Sequence, residues 1–103
     1  MGSERSIMSE DRYPTLHAIG LGKQFEAIER IAALGQAGKY AGEAVAEKSA
    51  DHHFNKADSH MVRAGSHYQE RDEETSESHL LHAALRLLMA DHSAEAGKVT
   101  DEE

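Results

Sequence analysis

Apolar positions follow helical spacing in three stretches of the chain. Between about Leu16 and Leu34, Phe25, Ile28 and Ala32 fall at i, i+3 and i+7 with Ile31 beside them, which predicts a helix with one apolar face. Gly20 and Gly22 weaken its first turns, so its firm part is expected to begin near Gly22. Gly35, Gly38 and Gly42, set around Lys39-Tyr40, suit a helix end and turn. The second stretch spans about Glu43 to Gln69. There Phe54, Ala57, Met61, Ala64 and Tyr68 alternate by three and four, the spacing of a seam for a partner helix. The third spans about Glu77 to His92. Leu81, Ala84, Leu85 and Leu88 form one stripe and Leu80, Ala83 and Leu87 a second, so this helix is central or lies at an interface. Thr75 or Ser76 is placed to cap its N-terminus, and the acids at Asp72, Glu73 and Glu74 complement its dipole. No stretch alternates as a strand does. The fold class is all-α, a three-helix bundle over residues 13–92. The polar start, 1–12, and the acidic tail, 93–103, are expected to be disordered.

Composition changes this picture in one respect. Only 17 of the 103 residues are Ile, Leu, Val or Phe, a thin supply for a core, while 16 alanines favour helices and close packing. The missing apolar contact is expected to come from a second subunit, most simply in a homo-oligomeric dimer. The net charge of -8 excludes broad binding of a phosphate backbone, so no direct nucleic-acid partner is expected. The absence of cysteine removes disulfides and thiolate metal sites. No run reaches the roughly 18 apolar residues of a membrane span, so no membrane partner is expected and the default location is the cytoplasm.

Several groups could carry chemistry. Glu26 and Glu29 are one turn apart on the first helix, where both carboxylates can reach one cation. Eight histidines are many for this length. His53, His60 and His67 are seven apart, about 10 Å of rise per step, too far for all three to hold one ion. They read as a partly exposed row beside the seam. His79 and His82, at i and i+3, share a face and could bind a metal, pair with carboxylates or bond backbone groups. Gly35-x-x-Gly38 lacks the preceding strand that a phosphate loop needs. Tyr13, Tyr40, Lys39 and Arg63 are candidate nucleotide contacts if a nucleotide site exists.

The segment from Asp72 to Ala84 resembles the dATP/dGTP diphosphohydrolases often found in phages, within the all-α, MazG-like nucleotide pyrophosphohydrolase superfamily. Asp72, Glu74, His79, Leu80, His82 and Ala83 match that family's pattern without a gap, with Thr75 in place of its Ser and Ser76 in place of its Gly. Ala37-Gly38-Lys39-Tyr40 is similar to its Ala-Lys-Lys-Tyr element, and Ala57 and Ala64 fall in register with its middle helix. The family's tryptophan segment is absent, and Glu47 with Asp51 stands one residue too wide for its E-x-x-D.

The resemblance implies cleavage of a deoxynucleoside triphosphate to monophosphate and pyrophosphate with Mg2+ or Mn2+. Under it Glu26, Glu29, Asp72 and Glu74 face the metal. Glu29, Glu74 and His79 serve catalysis, and Lys39 with Tyr40 meets the nucleotide. The alternative is a small acidic, non-catalytic helical protein that binds a host protein partner, for example as a phage inhibitor or nucleic-acid mimic. The two differ in geometry: an enzyme gathers its acids in one cleft, and a mimic spreads them over an open face.

Overall fold

The computed structural model describes residues 12–101. The disordered start expected over 1–12 lies, but for Arg12, outside the described residues. Among the described residues the chain is all-α, with four α-helices, a 3-10 turn and no strand. In chain order the helices are α1 (Pro14–Ala18), α2 (Gly22–Ala37), α3 (Ala50–Arg63) and α4 (His79–Glu95). The 3-10 turn, Val45–Glu47, lies between α2 and α3.

The first predicted helix is two. Gly20 takes φ +91°, a left-handed turn that a glycine adopts without strain, and α2 restarts at Gly22. A side chain at Gly22 would strike the His17 ring, so the missing Cβ there makes room for that ring against α2. α2 then runs past Leu34 to Ala37, with Ala27 and Ile31 buried.

The second predicted helix is shorter than expected. Residues 43–49 are the 3-10 turn with extended backbone at Ala44 and Lys48. Ser49 then caps α3, its Oγ accepting from the His52 N–H at 3.0 Å. Gly65, at φ +85°, ends that helix. The cap of α4 is Ser78, whose Oγ accepts from the Leu80 and Leu81 amides at 3.0 and 3.4 Å, and not Thr75 or Ser76.

α3 and α4 form an antiparallel pair. His60 meets His79 at one end, and His53 meets Arg86 further along. The expected seam is only half realised. Ala57 and Ala64 are fully buried, but Phe54, Met61 and Tyr68 are 40–65% exposed. The inward line is instead buried His53, Ala57 and Ala64 with half-buried His60, again spaced four, three, four. Of the histidine row expected beside the seam, His53 and His60 are part of it, and His67 lies exposed beyond the helix end. α2 packs against α4, and Arg30 ties α2 to the loop just before α4, its Nε and Nη2 donating to the two Glu77 carboxylate oxygens at 2.6 and 3.1 Å.

The tail also differs from its expectation. α4 continues to Glu95, and the chain then folds back over the start of α3. Ala50 and Asp51 donate their amides to the Lys98 and Val99 carbonyls at 2.8 and 3.0 Å, and the Ser49 hydroxyl donates to Asp101 at 2.5 Å. These partners satisfy amides that a helix N-terminus otherwise leaves unpaired. Ser93, fully buried, donates to the Lys48 carbonyl at 2.8 Å. Ser93→Ala is expected to strand that carbonyl and lower unfolding stability by about 1–3 kcal/mol, measured by urea titration.

Candidate functional site

A cleft of about 1190 Å³ opens between the second half of α2, the facing sides of α3 and α4, and the loop joining them. Local backbone chemistry shapes the loop. Arg71 and Ser78 form an isolated antiparallel bridge, and the His79 amide donates to the Glu70 carbonyl at 3.0 Å. The bridge sets Asp72 beside the start of α4. Asp72 Oδ1 accepts from the Glu74 and Thr75 amides at 2.8 and 3.2 Å, an Asx turn that fixes the carboxylate. Ser76 sits at φ +63°, in the left-handed region that favours glycine.

Three imidazoles converge on this carboxylate. The His60 and His79 Nδ1 atoms are 2.9 Å apart, so one donates and the other accepts. His82 stacks on His60 with ring centroids 4.7 Å apart and an interplanar angle of 20°, and its Nε2 bonds the Thr75 hydroxyl at 2.7 Å. His60, Asp72 and His79 each offer one ligand atom, and these atoms lie within 4.8 Å of one another. Among the described residues this is the set of histidine and acidic side chains able to hold a metal ion.

Electrostatics follow from this crowding. Burial first, then charge on His82, His79 and Arg63, pushes His60 down to about 4, against a smaller upward pull from Asp72. Burial likewise lowers His82, although Asp72 opposes it. Partial burial would raise the Asp72 carboxyl. The two backbone N–H groups and the neighbouring imidazoles outweigh that effect, and it lies below its ordinary value.

A second network braces the far end. His53 Nε2 donates to the Val45 carbonyl at 2.9 Å, and its Nδ1 accepts from Arg86 Nη1 at 2.9 Å. Arginine can only donate, so His53 is the neutral tautomer protonated on Nε2. Arg86 also donates to the Tyr40 hydroxyl at 3.1 Å, and its guanidinium lies 5.3 Å from the Tyr40 ring centroid. The Tyr40 ring packs where a side chain at Gly35 would intrude, so Gly35 serves close approach inside α2.

Lys39, Tyr40, Asp72, Glu74 and His79 all line this one cleft. Glu26 and Glu29 do not. Both lie on exposed positions of α2 nearer its start, and the lining from that helix begins at Ile31. The four carboxylates expected to face one metal are therefore not gathered. Tyr13 is also elsewhere, its ring centroid 6.0 Å from that of Phe25. Sequence reasoning missed the pairing of His60 with His79, because it crosses two helices. The available signal was that His53 and His60 share the spacing of Ala57 and Ala64. It also missed the cationic lining. Lys39, Lys56, Arg63, Arg71 and Arg86 place five of the chain's 11 Lys and Arg residues around the cleft of a protein with net charge -8. Comparison with family models, characterised proteins and solved structures finds no match to the chain.

The imidazole cluster makes stability depend on pH. Folded His60, at about 4, lies below its value of 6.5 in an unfolded chain, so the unfolded state takes up the proton first. The stabilisation is complete above 6.5 and is lost as pH falls through that interval, with His82 acting in the same direction. The melting temperature in chelator-treated buffer is expected to drop several degrees between about pH 7.5 and pH 5. His60→Gln should flatten that slope.

Proposed function

We propose that the cleft binds a deoxynucleoside triphosphate, dATP or dGTP by the family resemblance, and that the chain is a MazG-like nucleotide pyrophosphohydrolase of the cytoplasm. One observation carries this reading. Lys39, Tyr40, Asp72, Glu74 and His79, singled out from separate stretches of sequence, line one cleft rich in cations. The positive φ of Ser76 adds support, because the resembled pattern has glycine at that position.

The cations suit a polyanion. Lys39 and Arg63 offer positive charge to the phosphates, while Arg86 is engaged with Tyr40 and His53 and holds the wall in place. Asp72 and Glu74 are the carboxylates placed to meet an ion. One or two carboxylates together with substrate phosphates are what Mg2+ or Mn2+ commonly takes, so the donor set fits an ion that arrives with the nucleotide. When bound, it neutralises charge on the triphosphate. Glu74, at the cleft and off the imidazole cluster, accepts the proton of the attacking water. A bond from water oxygen to the α-phosphorus forms, the bond to the bridging oxygen breaks, and pyrophosphate leaves. Glu26 and Glu29 have no part in this reading.

Purified protein with Mg2+ or Mn2+ is expected to release pyrophosphate from dATP or dGTP. Glu74→Gln and Lys39→Ala should each lower kcat/KM by about tenfold or more. Absence of turnover with every common nucleotide would favour the acidic host-binding reading, which the exposed placement of Glu26 and Glu29 suits.

We also infer a homodimer. Ile31 is the one large aliphatic side chain buried among the described residues. Phe54, Met61 and Val62 on α3, and Leu80, Leu87 and Leu88 on α4, remain 39–76% exposed, each set spaced i, i+7, i+8. Stripes of that kind are what a second copy would cover. Leu85, on one of the stripes predicted for α4, is half-buried in the cleft lining instead. Light scattering should give twice the chain mass of 11.3 kDa, and Leu88→Asp should halve it while preserving helical circular dichroism.

A further inference from the structure

We propose that His60, Asp72 and His79 form a site for one first-row divalent transition metal, of the kind represented by Zn2+. The site is held by the protein itself, with Asp72 the one carboxylate it would share with an ion carried by a nucleotide, and it stands whether or not the cleft hydrolyses one.

Three observations carry it. The ligand atoms of the three residues lie within 4.8 Å of one another although they come from α3, the loop and α4. The His60 and His79 Nδ1 atoms face each other at 2.9 Å, close to the roughly 3.3 Å edge between neighbouring ligands in a tetrahedral zinc site. A small opening of that pair admits an ion in place of the shared hydrogen, the donor ring losing its Nδ1 proton to solvent and taking one up on Nε2, so that both rings ligate as neutral imidazoles. The carboxylate is also oriented in advance. Asp72 Oδ1 is held by the Glu74 and Thr75 amides, and those bonds leave Oδ2 to the ion.

The donor set selects the metal. Two imidazole nitrogens with one carboxylate suit Zn2+ and its neighbours, whereas Mg2+ demands oxygen ligands. Three protein ligands leave a fourth position for water or an incoming group, and all three residues line the cleft. His82, stacked on His60 and anchored on Thr75, fixes the orientation of the His60 ring without being a ligand.

The test uses the metal-free full chain without an added histidine tag. Calorimetric titration with Zn2+ is expected to give one ion per chain, and titration with Mg2+ none at this site. Co2+ should produce the intense visible absorption of a four-coordinate ion, and Zn2+ should raise the melting temperature. His60→Gln and Asp72→Asn are expected to weaken Zn2+ binding by more than about tenfold and to abolish the Co2+ band. His92→Gln, on an exposed histidine, should retain both. The proposal is overturned if the chain binds no Zn2+, or if Co2+ keeps the weak spectrum of the hydrated ion. It is equally overturned if His92→Gln costs as much affinity as His60→Gln, which would assign binding to scattered surface imidazoles. Should a cluster variant fail to fold, the wild-type Co2+ spectrum decides alone. Pyrophosphate release plays no part in the readout, so failure here leaves the nucleotide reading intact, and the reverse.

Discussion

The structure depends on how closely α3 and α4 approach. Ala57, Ala64 and Ala83 line the contact and are buried almost completely, so nothing large holds the two backbones apart. That spacing has a cost. Alanine buries little apolar area, and at about 25 cal/mol per Å² such an interface contributes modestly. Imidazoles and a guanidinium also lie on the facing sides of the pair, and they are tolerable there only when their polar atoms find partners. His53 between Val45 and Arg86, His60 against His79, and His82 on Thr75 are the solutions to that constraint.

The same constraint explains why chemistry and packing coincide. In most small helical domains the polar groups lie outside and the core is inert. Here the groups able to bind an ion or move a proton are also the ones that fill the helix interface. A cleft forms beside them because the loop from Gly65 to Ser78 is drawn back by the Arg71–Ser78 bridge and by the Arg30–Glu77 ion pair. The Asp72 carboxylate is thereby brought to the imidazoles by backbone geometry and not by attraction alone.

Much of the fold was legible in the sequence. The helical periodicity located α2 and α4 to within three residues, and Gly20 and Gly22 marked the break between α1 and α2, whereas the second expected helix ran on through Gly65, where α3 ends. The start of α3 was misplaced because Ala44, Ala46 and Glu47 favour helix, and nothing local shows that Ser49 will cap a helix that starts seven residues later than expected. The seam was half legible, since Ala57 and Ala64 carry its period. Which neighbours share it depends on the side from which α4 arrives, and a single helix does not encode that. Lys39, Tyr40, Asp72, Glu74 and His79, named from separate stretches of sequence, lie along one cleft. The separation of Glu26 and Glu29 from them was not legible, because an i, i+3 pair fixes a face of a helix and says nothing of what that face meets.

An alanine seam is nearly uniform along its length, and a uniform seam permits slippage: one helix could slide a turn, about 5.4 Å, with little change in apolar contact. The polar contacts remove that freedom because they sit at opposite ends of the pair. His60 on His79 fixes one end, and Ser93 on the Lys48 carbonyl, with the Lys98 and Val99 carbonyls on the first amides of α3, fixes the other. A slide of one turn would break both sets together and leave buried polar atoms bare. The histidines and serines thus act as alignment pins, selecting one register from several that alanine alone would accept.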